Sequence, residues 1–141
     1  MTIIFSLLLI IIDQIVKHFI SKMTLYSSTI IIPNFFNITY VKNTGAAFSI
    51  LSDNTLLIII ITLAILFFLY KSVLKTSKYK LSKILLLGGI ISNLIDRILR
   101  GYVVDFLDFN IFGYDFPIFN IADICIVIGC ILLIYETFKE K

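Results

Sequence analysis

Charge is scarce in this sequence of 141 residues, because Asp, Glu, Lys and Arg together make up only 15% of it. Hydrophobic residues reach 60%, whereas a soluble domain is about 45–50% apolar and about 25% charged. The chain therefore has too little polar surface to cover itself in water. The abundance of Ile, Leu and Phe excludes a disordered protein. The composition indicates a small integral membrane protein.

Cysteine and histidine are almost absent. The two cysteines, Cys125 and Cys130, lie within one apolar run and are too few for a disulfide framework, which excludes a secreted disulfide-rich scaffold. The single histidine, His18, has no second His or Cys at a suitable spacing, so a zinc site is not expected.

Four apolar segments predict transmembrane helices, because in lipid a helix satisfies every backbone polar group within its own segment. The predicted spans are residues 2–20, 54–70, 83–99 and 117–138. The first has neither a basic leader nor a small-residue cleavage site, so a retained span is expected rather than a cleaved signal peptide. At about 20 residues per span, no room is left for a soluble domain. We predict one all-α membrane domain over residues 1–141.

Lysine distribution predicts the orientation of the chain in the membrane. Five lysines and no acid lie between the second and third predicted spans, at positions 71, 75, 78, 80 and 83. The other two loops, residues 21–53 and 100–116, contain few basic residues. Because an excess of Lys and Arg marks the cytoplasmic side, the central loop and both termini are predicted to be cytoplasmic. The net charge of +3 thus reflects topology, and no nucleic-acid partner is expected.

The outer loop over residues 29–48 is rich in β-branched and aromatic residues, interrupted by Pro33 and Gly45. This composition predicts short strands that form a small β-rich platform on the extracytoplasmic surface. A partly inserted amphipathic loop would show the same pattern, and periodicity does not separate the two.

Polar residues within the predicted spans are candidates for a functional site, because a charge in lipid is costly. Asp13 and Lys17 are four residues apart and share a helix face, which suits an ion pair as well as a catalytic role. A second stripe, with helical spacing, consists of Asn93, Asp96, Arg97 and Arg100. Such a stripe suits either a hydrogen-bonded scaffold between helices or the wall of a polar site.

Two acids, Asp105 and Asp123, lie at the outer membrane boundary by this topology. Two carboxylates held together in a water-poor setting share a proton, so that one activates a water while the other polarises a carbonyl. That chemistry hydrolyses peptides without a metal. Alternatively, both acids line a solvated rim, or they bind a hard cation together with Asp108.

Five blocks of sequence resemble bacterial lipoprotein signal peptidase (signal peptidase II), a family of membrane aspartic proteases. In order they are Asp13-Gln14-x-x-Lys17, Asn43-Thr-Gly45-Ala46-Ala47-Phe48-Ser49, Asn93-x-x-Asp96-Arg97, Gly101-x-Val-Val-Asp105-Phe and Phe119-Asn120-x-Ala122-Asp123. The second block is fairly specific by itself, and all five occur in the order of the family. One departure is Ser92, where family members commonly have Gly; both residues are small enough for close helix packing.

The resemblance implies a role for each matched residue. Asp105 and Asp123 would form the catalytic dyad. The residues that would shape or support the substrate site are Asn43, Gly45, Asn93, Arg97, Asn120 and Ala122. The polar residues that would be structural are Asp13, Lys17 and Asp96.

The resemblance also implies an endopeptidase that removes the signal peptide from prolipoproteins, cutting before a cysteine that carries a diacylglyceryl group. It would act at the outer face of the bacterial cytoplasmic membrane, surrounded by membrane lipid and without a cofactor. Inhibition by globomycin-type depsipeptides is expected. From the residues alone, two other functions remain open. One is a non-enzymatic subunit or ion carrier that uses Asp13 and Asp96 as relay groups, and the other is a scaffold that binds lipidated proteins without cutting them.

Overall fold

The computed structural model describes residues 2–45, 54–71 and 79–139. Within these residues, the helices are α1 (Thr2–Ile20), α2 (Thr55–Leu69), α3 (Lys80–Arg100) and α4 (Ile121–Lys139). The strands are β1 (Ser28–Ile32), β2 (Phe36–Asn43), β3 (Val103–Ile111) and β4 (Tyr114–Asp115). In the described residues, these strands lie in the two loops that the lysine distribution predicts to be outer.

Each predicted span contains a helix, but among the described residues only two helices have both the length and the composition of a membrane span. These are α1 and α4, with 19 residues each, or about 28 Å at 1.5 Å per residue. Helix α2 is apolar but has 15 residues. Helix α3 has 21 residues, and five of them are charged: Lys80, Lys83, Asp96, Arg97 and Arg100. Length and composition therefore support two clear spans rather than the four predicted.

Helix α3 packs against the other three helices and directs its polar face inward. Small residues let it approach α4 closely: a Cβ atom at Gly89 would collide with the backbone carbonyl of Ala122, and one at Gly129 would lie 2.9 Å from Leu86. Ser82, Ser92, Asn93 and Asp96 are all buried on α3. The least apolar helix is therefore the one that other helices cover, since its polar groups need protein partners.

The boundaries of α3 and α4 correct the prediction. Helix α3 begins at Lys80, so Lys80 and Lys83 belong to a helix rather than to the central loop, and Lys83 is buried. Lys75 and Lys78 lie outside the described residues. Helix α4 begins at Ile121 rather than at residue 117, because Phe119 pairs with Leu107 of β3 through two backbone hydrogen bonds.

The strands form one antiparallel sheet in the order β1-β2-β3-β4. The prediction of a small sheet over residues 29–48 is correct for β1 and β2, although residues 46–48 lie outside the described part of the chain. Strands β3 and β4 come from residues 100–116, where no strand was predicted. Tyr40, Val104 and Phe106 bury one face of the sheet against the end of α1, which explains why β3 is stable in this position.

Candidate active site

Strand β3 carries Asp105, which lies opposite Val41 of β2 and is 2% exposed. Its two carboxylate oxygens accept hydrogen bonds from different elements of the fold. Asn43, at the end of β2, donates from Nδ2 to Oδ2 at 2.8 Å. Asn120, just before α4, donates from Nδ2 to Oδ1 at 2.6 Å. The carboxylate is therefore oriented by two amides and shielded from water.

Asp123 lies in the first turn of α4. Its backbone N–H donates to Oδ1 of Asn120 at 3.0 Å, and the Asn120 N–H donates to Oδ2 of Asp123 at 3.2 Å. This reciprocal pair is a capping box, which satisfies the free N–H groups at the helix start. The start of α4 and the position of the Asp123 carboxylate are thus determined together.

The two acids are joined through the amides of Asn93 and Asn120. Asn93 donates from Nδ2 to Oδ1 of Asp123 at 2.8 Å, while its Oδ1 accepts from Nδ2 of Asn120 at 3.3 Å. Burial and the nearby charge of Asp123 raise the pKa of Asp105 to about 7, against the opposing effect of its amide hydrogen bonds. Asp105 therefore holds a proton at a pH where an exposed Asp is ionised.

Beneath the two acids, the fully buried Lys17 neutralises a cluster of polar groups. Its ammonium lies 2.7 Å from Asp13 and 2.9 Å from Asp96, and it donates to Oδ1 of Asn93 at 2.8 Å. Asp13 in turn accepts a hydrogen bond at 3.1 Å from the backbone N–H of Ala122, which places that residue beside the cluster. The sequence left open an ion pair or a catalytic role for Asp13 and Lys17; the structure contains the ion pair.

Ser92, the departure from the family pattern, is fully buried. Its hydroxyl donates to Oδ2 of Asp13 at 2.6 Å and accepts from Nε2 of Gln14 at 3.0 Å. Gln14 also donates to Oδ1 of Asp96 at 3.0 Å. Sequence reasoning considered only the size of Ser92 and gave no role to Gln14. Helical spacing was the available signal, because Ser92 lies four residues before Asp96 and Gln14 lies three residues before Lys17.

Arg97 connects α3 to the loop that follows β2. It donates from Nη2 to the carbonyl oxygen of Gly45 at 3.0 Å. The Gly45 N–H donates to Oδ1 of Asn43 at 3.0 Å, and Asn43 uses its Nδ2 for Asp105. The predicted cleft residues Asn43 and Gly45 are therefore held between Arg97 and one of the two acids. The rest of that block, residues 46–49, lies outside the described residues.

A role for Asp108 as a metal ligand has no support in the geometry. Asp108 accepts a hydrogen bond from the Thr39 hydroxyl at 2.6 Å and pairs with Asn37 across the sheet. Among the described residues, no group of three or more His, Cys, Asp or Glu side chains is arranged to hold a metal ion. The arrangement is instead suited to acid–base chemistry between two carboxylates.

The chain is similar to known proteins in sequence and in fold. A sequence model of the family described as signal peptidase (SPase) II matches residues 5–139. Lipoprotein signal peptidases of Staphylococcus aureus, in the JH9 and Newman strains among others, are 45% identical to this chain over 144 residues. These alignments cover 99% of this chain and 88% of the relatives.

Two solved structures resemble the fold closely. Both are described as bacterial membrane enzymes determined by the in meso method, at 2.3 and 1.9 Å resolution. Their TM-scores are 0.84 and 0.86, at 42% and 43% sequence identity. The matches cover 99% of this chain and 88% and 94% of those chains.

Proposed function

The chain belongs to the signal peptidase II family of membrane-embedded proteases, and from this premise we propose that it removes signal peptides from prolipoproteins by means of an aspartic dyad, Asp105 and Asp123. The observation that carries the proposal is that both acids are held by one pair of joined amides, Asn93 and Asn120. Because the family is enzymatic, neither a non-catalytic ion carrier nor a silent scaffold is retained as an alternative.

The buried charges support one proton on the dyad. The acids in and beneath the site are Asp13, Asp96, Asp105 and Asp123, and the cations are Lys17, Arg97 and Arg100. Four carboxylates against three cations leave one excess negative charge, which a single proton removes. Asp105, with its pKa near 7, is the natural holder of that proton. Asp123 is then the ionised partner and the general base.

In the proposed reaction, Asp123 takes a proton from a water while the water oxygen bonds to the carbonyl carbon of the scissile peptide. Asp105 gives its proton to the carbonyl oxygen, which forms a neutral tetrahedral intermediate. As the C–N bond breaks, the amine leaves with the proton held by Asp123, and Asp105 recovers a proton from a hydroxyl group of the intermediate. Both carboxyls return to their starting states, so no metal or covalent intermediate is needed.

The substrate is proposed to be a prolipoprotein whose cysteine carries a diacylglyceryl group, with the cut directly before that cysteine. Acyl chains that remain in the bilayer beside the bundle would anchor it, at about 0.8 kcal/mol per buried CH₂ group. The resemblance also supports binding of globomycin-type inhibitors at this site.

The proposed location is the bacterial cytoplasmic membrane, with both termini inside and the dyad at the outer face, as the lysine distribution predicts. In this arrangement α2 and α3 cross the membrane with α1 and α4. The short α2 would do so with local thinning of the bilayer, and the charges of α3 would be covered by its neighbours.

The test is a cleavage assay with purified protein in detergent micelles and a diacylglyceryl-modified prolipoprotein, with products identified by mass spectrometry. Asp105→Asn and Asp123→Asn should each abolish release of the signal peptide. Asp108→Asn is the matched control, because that acid lies on β3 and bonds to Thr39 instead of to the dyad; it should cleave at nearly the wild-type rate. Wild-type cleavage by both dyad variants would refute the proposal.

A further inference from the structure

A groove of about 570 Å³ runs along α1, separate from the two acids. Its lining is formed by Ile11, Gln14, Ile15, His18, Phe19 and Arg100. Five of these residues share one face of α1, at helical spacing, and Arg100 reaches across from the end of α3. We call this surface the α1 groove.

The α1 groove is amphiphilic along its length. Of the α1 residues that line the groove, Ile11 is the furthest from Ile20, where the helix ends. It lies seven positions before His18, which is about 10 Å along the helix axis. Ile11 and Ile15 are each 51% exposed, as expected for side chains that face lipid. Because α1 is of spanning length and ends at Ile20, His18 lies in its last turn, at the level of the membrane interface.

Arg100, whose charge is paired with Asp96, brings guanidinium donor groups to the polar end of the groove. In the part of the chain that the structure describes, Nη1 of Arg100 donates both of its side-chain hydrogen bonds, one to Gln14 at 3.0 Å and one to Asp96. Nη2 and Nε therefore remain available, and the guanidinium is 22% exposed while Asp96 is fully buried. A guanidinium with two free donor nitrogens suits the paired oxygens of a phosphate group.

A second cation lies at the rim of the groove. The ammonium of Lys22 is 5.3 Å from the centre of the Phe19 ring, which itself lines the groove. His18 adds a ring nitrogen that can donate a hydrogen bond. Positive charge thus gathers at the interfacial end, whereas Ile11 and Ile15 form the end within the hydrocarbon. This arrangement, with positive charge at one end of the groove and apolar side chains at the other, matches an anionic head group with attached acyl chains.

We propose that the α1 groove binds one anionic phospholipid, with its phosphate on Arg100 and His18 and an acyl chain along Ile11 and Ile15. The acyl chain of the lipid distinguishes it from free phosphate, because apolar contact between this acyl chain and the exposed Ile11 and Ile15 strengthens binding. The net negative charge distinguishes it from a zwitterionic lipid, whose choline group would meet Lys22 and Arg100 unfavourably.

Native mass spectrometry of the purified protein in a neutral detergent tests the proposal. The probes are dioleoylphosphatidylglycerol, dioleoylphosphatidylcholine and inorganic phosphate, titrated separately. We expect phosphatidylglycerol to bind most tightly and Arg100→Gln to weaken its binding about tenfold or more, as loss of a charged hydrogen bond implies. Lys42→Gln is the control, because Lys42 is an exposed lysine on β2, over the ring of Tyr102, and should leave binding unchanged.

A second variant protects the test against misfolding, since Arg100 also contacts the buried Asp96. Ile15→Trp fills the groove without removing any polar contact, and it should weaken phosphatidylglycerol binding while the thermal unfolding midpoint stays near that of the wild type. Equal binding of the two lipids would overturn the proposal. So would binding of inorganic phosphate as tight as that of phosphatidylglycerol, or wild-type affinity in Ile15→Trp.

Discussion

Asn93 donates a hydrogen bond from its side-chain amide to Oδ1 of Asp123 at 2.8 Å. The direction of this bond is set on the other side of the amide, where Lys17 donates to the Asn93 oxygen at 2.8 Å. A cation cannot accept a hydrogen bond, so the oxygen of Asn93 must face Lys17 and the NH₂ group must face Asp123. The buried ion cluster on α1 and α3 thereby orients a group that touches the dyad.

The first prediction concerns this orientation. Asn93→Asp keeps an oxygen acceptor for Lys17 but replaces the donor to Asp123 with a second carboxylate oxygen. We expect kcat to fall at least tenfold, as expected for loss of a charged hydrogen bond of about 1.5–3 kcal/mol, while KM changes little. Steady-state cleavage kinetics measure both. Asn110→Ala, which removes an amide bonded to Asp115 at 2.6 Å on the exposed hairpin, should keep wild-type kinetics. An unchanged kcat in Asn93→Asp would contradict the assigned role.

The second prediction concerns pH. Asp105 has a pKa raised to about 7, mainly by burial, so its proton is present below pH 7 and lost above it. Because that proton polarises the substrate carbonyl in the proposed mechanism, kcat/KM should fall as pH rises through about 7. Asn43→Ala removes a hydrogen bond that favours the ionised form, so the pKa should rise further and the alkaline limb should move to higher pH. If the alkaline limb of the kcat/KM profile moved to lower pH in Asn43→Ala, the predicted direction of the pKa change would be wrong.

The third prediction concerns stability. Lys17→Met leaves Asp13 and Asp96 without a cation they share, and loss of one partner from a buried ion pair costs about 3–5 kcal/mol. Cys125 is a buried free thiol and Cys130 an exposed one, so in a Cys130→Ala background a thiol-reactive dye can follow thermal unfolding in detergent. The midpoint should fall strongly in Lys17→Met and recover in part in Lys17→Met/Asp13→Asn. Lys22→Met, at a surface lysine, should behave as wild type. No recovery in the double variant would argue against unpaired charge as the cause.

The fourth prediction concerns the packing of α3 against α4. Gly89→Ala places a methyl group against the carbonyl of Ala122, next to Asp123, and overpacking of this kind costs about 1–3 kcal/mol. Both the unfolding midpoint and cleavage should decline, because the displaced backbone carries the dyad residue. Gly113→Asn is the control, since Gly113 has a φ of 83°, which Asn tolerates, and open space around its Cα. Wild-type cleavage in Gly89→Ala would mean that α4 shifts without moving Asp123.

Much of the architecture was accessible from the sequence because it depends on local pattern. The four helices follow apolar runs that each segment shows by itself. The start of α4 was predicted at residue 117 because the capping role of Asn120 was not recognised from the sequence. Strand β3 was missed because its stability comes from pairing with β2 and from burial against α1, which no local window contains. The difference between four predicted spans and two clear ones arises from α2, which has only 15 residues, and from α3, whose charges are acceptable only because other elements cover them.

The sequence by itself determined that the protein is a membrane protein, because its composition lacks the polar residues that water requires. It also singled out Asp105 and Asp123 as the proposed dyad, since their blocks carry the family resemblance. Only the tertiary structure decided how these acids are held. The bond from Ala122 to Asp13 joins residues 109 positions apart, and the bond from Lys17 to Asn93 joins residues 76 positions apart. Such contacts form when helices pack, because a buried polar group must find its partner in space rather than along the chain.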